Sequence, residues 1–270
     1  MKKFDFKNVT KLTKFEIKIQ KKIILGWTIS IFLLMFLYMV LFPSIKEMAQ
    51  MKMDAMPEEL LELFGMGDFS NMDNYITYYG MIYNMILIAV SIFAATFGAN
   101  LLYKEEKSKS IEFLYSLEVS RSEIFFSKLL TGFIGVMCVL ISAIVPSLIC
   151  GFMAGDTFDM MDFITISKMS STTPFLFLAL AFMISGVSSK ISSATITSVA
   201  VLGSYMMGYL GNLLEDKAQW LRYLSPFETL SPNNVLAMEN ETMIAMGAYF
   251  ILMILFIIIG KIVYVKRDLK

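Results

Sequence analysis

The chain has no histidine, and that absence alone removes Ser-His and Cys-His nucleophilic pairs and His-ligated metal sites. An intramembrane serine protease built on a histidine base is thereby excluded. Cysteine is nearly as scarce. Cys138 and Cys150 are the only two, and they share one apolar stretch in which twelve helical residues would separate them by roughly 18 Å. That is far beyond disulfide reach, so they read as small buried apolar residues. Charge is short as well: Asp, Glu, Lys and Arg make up 17% of the 270 residues, against about 25% in a soluble domain. Net charge is zero, which gives no ground for a nucleic-acid partner.

The missing charge is missing in blocks. Several stretches run for about 20 residues without an ionisable side chain, the length needed to cross ~30 Å of hydrocarbon. Mean hydropathy is +0.66. The first apolar run begins at Ile23 and no small-x-small cleavage pattern follows it, so it reads as a membrane span rather than a signal peptide. Spans are expected at Ile23–Phe42, Tyr79–Leu102, Leu129–Ala154, Pro174–Val187, Ser193–Leu214 and Met243–Val265. The fold class is therefore all-α integral membrane with six transmembrane helices.

Orientation follows from where the basic residues fall, because Lys and Arg accumulate on the cytoplasmic side. Lys2, Lys3, Lys7, Lys11, Lys14, Lys18, Lys21 and Lys22 precede the first span. With the loop between spans two and three and the C-terminal end, this side holds most of the 23 basic residues. Acidic residues favour the other side. Both ends are thus expected in the cytoplasm, with residues 43–78 and 215–242 as extracytoplasmic loops and 1–270 as one transmembrane domain.

Three segments outside the spans carry pattern. In residues 1–22, Leu12, Phe15 and Ile19 form an apolar stripe beside Lys11, Lys14, Lys18 and Lys21, as in an amphipathic helix lying on an anionic leaflet or docking a cytoplasmic partner. In the first external loop, Pro57-Glu58-Glu59 with Gly65 marks a short helix. Residues 103–128 are richer. Ser110 to Leu117 reads as a short helix presenting Ile111, Leu114 and Tyr115, and Ser120-x-x-Glu123 is a capping box that opens the third span. Phe113, Leu114 and Tyr115 between charges favour a protein contact.

The stretch from Glu106 to Leu130 resembles the cytoplasmic signature of type-2 ATP-binding-cassette (ABC) exporter permeases. That signature has a small residue and an acid among apolars, a turn with Ser-Arg, and a lysine entering the next span. Here it stands as Ser110-Ile111-Glu112-Phe113-Leu114-Tyr115-Ser116-Leu117-Glu118-Val119-Ser120-Arg121, with Lys128 in the lysine place. Ser110 replaces the usual glycine and Glu118 the usual proline. Pro57 to Gly65 and Leu224-Ser225-Pro226-Phe227 are also similar to family patterns.

The resemblance implies a plasma-membrane permease, bacterial by kinship, whose loop between spans two and three is a coupling helix seated in a separate ABC ATP-binding subunit. It implies a second copy of the chain in the membrane. Glu112, Phe113, Leu114 and Tyr115 would dock the ATPase, and Arg121 and Glu123 would fix the elbow. ATP and Mg would be bound by the partner, since no G-x-x-x-x-G-K-[ST] loop occurs here. The chain would then be a transporter subunit and no enzyme.

Asp, Glu, Lys and Arg are absent from the middle of the spans, which fits a hydrophobic or amphipathic cargo better than an ion-coupled carrier. Asn84, Thr96, Asn100, Thr195, Ser198 and Tyr205 are the polar exceptions, read as interhelical hydrogen-bonding residues. Gly203, Gly208 and Gly211 read as close-packing positions. An ATP-independent channel or secondary transporter, and a non-transporting membrane scaffold or sensor, stand as alternative readings.

Overall fold

The structure is a computed structural model that describes residues 4–55, 73–107, 119–154, 158–187, 192–214, 218–238 and 240–266. The coupling-helix residues Glu112, Phe113, Leu114 and Tyr115, and the external segment Pro57 to Gly65, lie outside the described residues. Ten α-helices and one 3-10 helix make up the described fold, and no strand occurs among the described residues.

The first helix, α1, runs unbroken over Phe6–Val40. At 35 residues it is about 50 Å long, so the expected surface helix and the first span are one rod. It ends where Pro43 approaches: proline offers no N–H to the turn before it, and the Leu41 N–H bonds back to the Tyr38 carbonyl at 3.1 Å. Helix α2 (Phe42–Ala55) follows. Helix α3 is Tyr75–Lys107 and α4 is Arg121–Met153. A second proline break separates α5 (Met160–Ser170) from α6 (Thr172–Val187). Pro174 would clash with the Ser170 carbonyl of a continuous helix, and the Thr172 hydroxyl takes up the Met169 carbonyl instead, at 2.7 Å. Helix α7 (Ser192–Leu213) leads through the 3-10 turn Gln219–Leu224 to two short helices, α8 (Pro226–Thr229) and α9 (Pro232–Ala237), and then to α10 (Asn240–Lys266).

Among the described residues, five stretches are long and apolar enough to cross a membrane: Phe6–Ala49, Tyr75–Leu102, Arg121–Met153, Met160–Val187 and Asn240–Lys266. The fourth starts well before the expected Pro174, because α5 adds its length to α6. The expected fifth span coincides with α7, whose serines, threonines and glycines leave it outside that apolar set.

Helix α3 is the axle of the bundle. Its apolar window is 67% buried, against 11% for α10, so α3 packs on protein from several sides while α10 turns most of its surface outward. Helix α1 lies along α4, α3 touches α4, α6 and α7, and α10 lies along α6. The α6–α10 contact is made at Gly186 and Gly260: a Cβ on Gly186 would stand 2.7 Å from the Gly260 carbonyl oxygen, and one on Gly260 2.9 Å from that of Phe182. Only residues without side chains let the backbones meet this closely. Of the three glycines expected to pack, Gly208 and Gly211 meet Ser225 and Arg222, whereas Gly203 has nothing within 4 Å.

Candidate functional site

Arg121 and Glu123 stand in the first turn of α4, directly after residues 108–118. Ser120 caps the helix in an extended conformation, φ −83° and ψ 152°, and the capping box is complete. The Ser120 hydroxyl accepts from the Glu123 N–H at 3.3 Å, and Glu123 Oε2 accepts from the Ser120 N–H at 2.6 Å. The other carboxylate oxygen reaches the beginning of α1. Glu123 Oε1 accepts from the Asp5 N–H at 2.7 Å and from Asn8 Nδ2 at 3.4 Å. Arg121 extends the other way, its Nη1 donating to the Val265 carbonyl of α10 at 3.1 Å. One helical turn therefore ties down the start of α1 and the end of α10 together.

A second layer lies one to two turns deeper. Lys128 is 2% exposed. Its ammonium donates to the Leu101 carbonyl of α3 and pairs with the Glu16 carboxylate of α1 at 3.6 Å. The Thr13 hydroxyl donates to the Val9 carbonyl at 2.8 Å and lies 3.3 Å from that of Ser127. Aromatic contacts enclose the layer. Phe4 meets the edge of Phe126 at 5.9 Å, Phe125 contacts Tyr264 at 5.7 Å, and the Lys261 ammonium sits 4.9 Å from the centre of the Phe126 ring. The result is a polar and aromatic knot joining α1, α3, α4 and α10 at the base of the elbow.

The packing adds an inner face to the apolar and basic stripes expected of α1. The face laid against α4 carries Val9, Thr13, Glu16, Gln20 and Ile24, all buried, whereas Phe15 and Ile19 of the expected apolar stripe face outward. Glu16 and Lys128 were missed as a pair although each carries a signal. Glu16 is the one acid among the lysines of residues 6–22, and Lys128 is the one charge in a long apolar run.

The bundle interior holds a further polar series that the sequence reading passed over. Tyr75, Tyr79 and Tyr83, four residues apart, share one buried face of α3. Tyr75 bonds the Ser147 carbonyl of α4, the Tyr79 hydroxyl lies 2.7 Å from that of Ser167, and the Tyr83 hydroxyl lies 2.6 Å from that of Ser171 at the α5–α6 break. Every hydroxyl has a partner, so the ladder fixes helix positions. Two of the expected interhelical bonders instead bond their own helix. Thr96 donates to the Ile92 carbonyl and Ser198 to that of Ala194, both at 2.8 Å. Asn100 and Thr195 are exposed, Tyr205 packs edge-on to Phe227, and Asn84 Oδ1 is buried without a partner among the described residues.

At the other end of the bundle, exposed Trp220 and Tyr223 fit interfacial anchors. Tyr223 donates to Glu241 at 2.8 Å, and this carboxylate raises the phenol above its ordinary pKa.

Helices of this length and apolarity, bundled around a buried central helix, define a multi-pass membrane protein. The family follows from comparison: residues 13–264 match the family described as "Multidrug efflux system permease Rv1217c, C-terminal domain". The match spans most of the chain, and the chain belongs to that family of membrane permeases. No curated protein matches it.

Proposed function

We propose that this chain is the membrane permease of an ABC-type exporter, moving a hydrophobic or amphipathic cargo across a bacterial plasma membrane with ATP hydrolysed by a separate subunit. Six spans cross the membrane with both ends in the cytoplasm, and two copies pair around the path. Ser110 to Leu117 is the coupling helix, with Glu112, Phe113, Leu114 and Tyr115 seated in the ATPase. The ATPase holds ATP and Mg.

The observation that carries this reading is the anchoring of the α4 elbow. A loop that only joined two spans would need no more than a helix cap. Here the turn following residues 108–118 is bonded to α1 and α10, with Lys128 bonded to α3 beneath it. A push on the loop is thereby delivered to four helices as one body. The family match to efflux permeases and the signature around Ser110 to Arg121 support the same reading.

The test is affinity purification of the tagged chain from its native membrane in mild detergent, beside the double variant Phe113→Ala/Leu114→Ala. An ABC ATPase recovered with the wild type and lost from the folded variant is the expected result. Failure to recover an ATPase with either protein, both intact and monodisperse, would overturn it in favour of a channel or scaffold.

A further inference from the structure

Beside the knot, the outer surface of the bundle carries a groove of about 540 Å³, inside the ~300–1,000 Å³ range of small-molecule sites. Its walls come from the start of α1, from α4, from α6 and from α10, and every lining residue is apolar. One end is closed by Phe133 of α4 stacked on Phe175 of α6, ring centres 4.6 Å apart. The other end is marked by Phe126, about 10 Å away along α4, with the Lys261 ammonium over its ring. Met253, Ile257 and Lys261 succeed one another at four-residue spacing, so α10 presents two wall residues and then the cation on one face. Lys261 is only partly exposed, and no carboxylate among the described residues pairs with it.

A dry slot with a cation at one end matches an amphiphile with an apolar tail and an anionic head. Its outer side is open: Leu130 and Phe133 are 37% and 45% exposed on a surface turned toward lipid. The cation stands at the end where α1 begins, which the proposed topology places at the cytoplasmic leaflet, the one carrying anionic lipid. We propose that the groove is a binding site for an anionic phospholipid, with one acyl chain lying from Phe126 to Phe133 and the phosphate meeting Lys261. The assignment rests on the proposed orientation for its choice of leaflet. The site is regulatory in position. Phe4 and Val9 line it, and they flank Asp5, whose N–H is held by Glu123. A lipid seated here presses the start of α1 onto the elbow.

The test uses the purified full chain in phosphatidylcholine vesicles, with Trp27 and Trp220 replaced by Phe and Phe126→Trp as the only tryptophan, excited selectively over the tyrosines. Brominated phosphatidylglycerol and brominated phosphatidylcholine are compared as quenchers at equal mole fraction. Phosphatidylglycerol should quench at about fivefold lower mole fraction, the effect of one lysine meeting an anionic headgroup. Lys261→Gln should erase that difference, and Ala179→Phe, which fills the groove and leaves Lys261 in place, should reduce quenching by both lipids. Should Ala179→Phe not fold, Leu129→Phe fills the groove from the opposite wall. Equal quenching by the two lipids overturns the site, as does a preference that survives Lys261→Gln or a filled groove that quenches as before. No ATPase enters this assay, so failure of the permease reading would leave its outcome unchanged.

Discussion

Lys128 is the only charged side chain between Ile124 and Met153, and its burial makes it answerable to Glu16. Removing one member of a buried ion pair leaves the other charge unpaired, at a cost of roughly 3–5 kcal/mol, whereas replacing both is often neutral. Lys128→Met should therefore strongly lower the thermal stability of the purified protein, and Glu16→Gln/Lys128→Met should recover most of the loss. Melting of the two variants in one detergent checks this, and a double variant no better than the single would remove the pair from the account. Glu123→Gln tests the carboxylate that serves two helix starts. Hydrogen bonds to a charged group contribute about 1.5–3 kcal/mol, so the Asp5 amide should exchange hydrogen faster by the corresponding factor, about tenfold or more. Amide exchange read by mass spectrometry on the N-terminal peptide measures it. At this scale the cap was legible, because Ser-x-x-Glu is a local pattern with one geometry. The reach of Glu123 to Asp5 was not, since it spans 118 positions and depends on how α1 is laid down.

Among the elements, the spans were read from gaps in charge; five of those gaps fall in the long apolar stretches built on α1, α3, α4, α6 and α10, and the remaining one is the helix α7, which is not among them. Boundaries moved where one face of a helix is polar for a partner inside the protein. Thr13, Glu16 and Gln20 had no part in the apolar and basic stripes expected of residues 1–22, and they face α4. The fourth span lengthens for the same reason, since Ser167 and Ser171 are polar toward Tyr79 and Tyr83 of α3. The crossing of α6 and α10 yields a sharper expectation. Gly186→Leu or Gly260→Leu must force the two backbones apart, at about the 1–3 kcal/mol typical of overpacking or more. Gly203→Leu, at a position where an added Cβ meets nothing within 4 Å, should melt close to the parent. Equal losses at Gly186 and Gly203 would contradict the packing described.

For the whole molecule, the number of crossings decides which side each end occupies. In a Cys138→Ala/Cys150→Ala background, a cysteine at Lys18 or at Lys266 should react with an impermeant maleimide only after the cells are opened. A cysteine at Gln219 should react in intact cells, and labelling of Lys18 and Lys266 from opposite sides would mean an odd number of spans. The order of synthesis adds a constraint. Asp5 emerges 118 residues before Glu123, its acceptor, and Arg121 emerges 144 residues before Val265. Helix α1 thus enters the membrane with Glu16 uncompensated until α4 follows, and the elbow stays open at one end until α10 is in place. A chain stalled before α10 would hold the first turn of α4 to α1 alone, so the last helix to be made is the one that secures that turn from its second side.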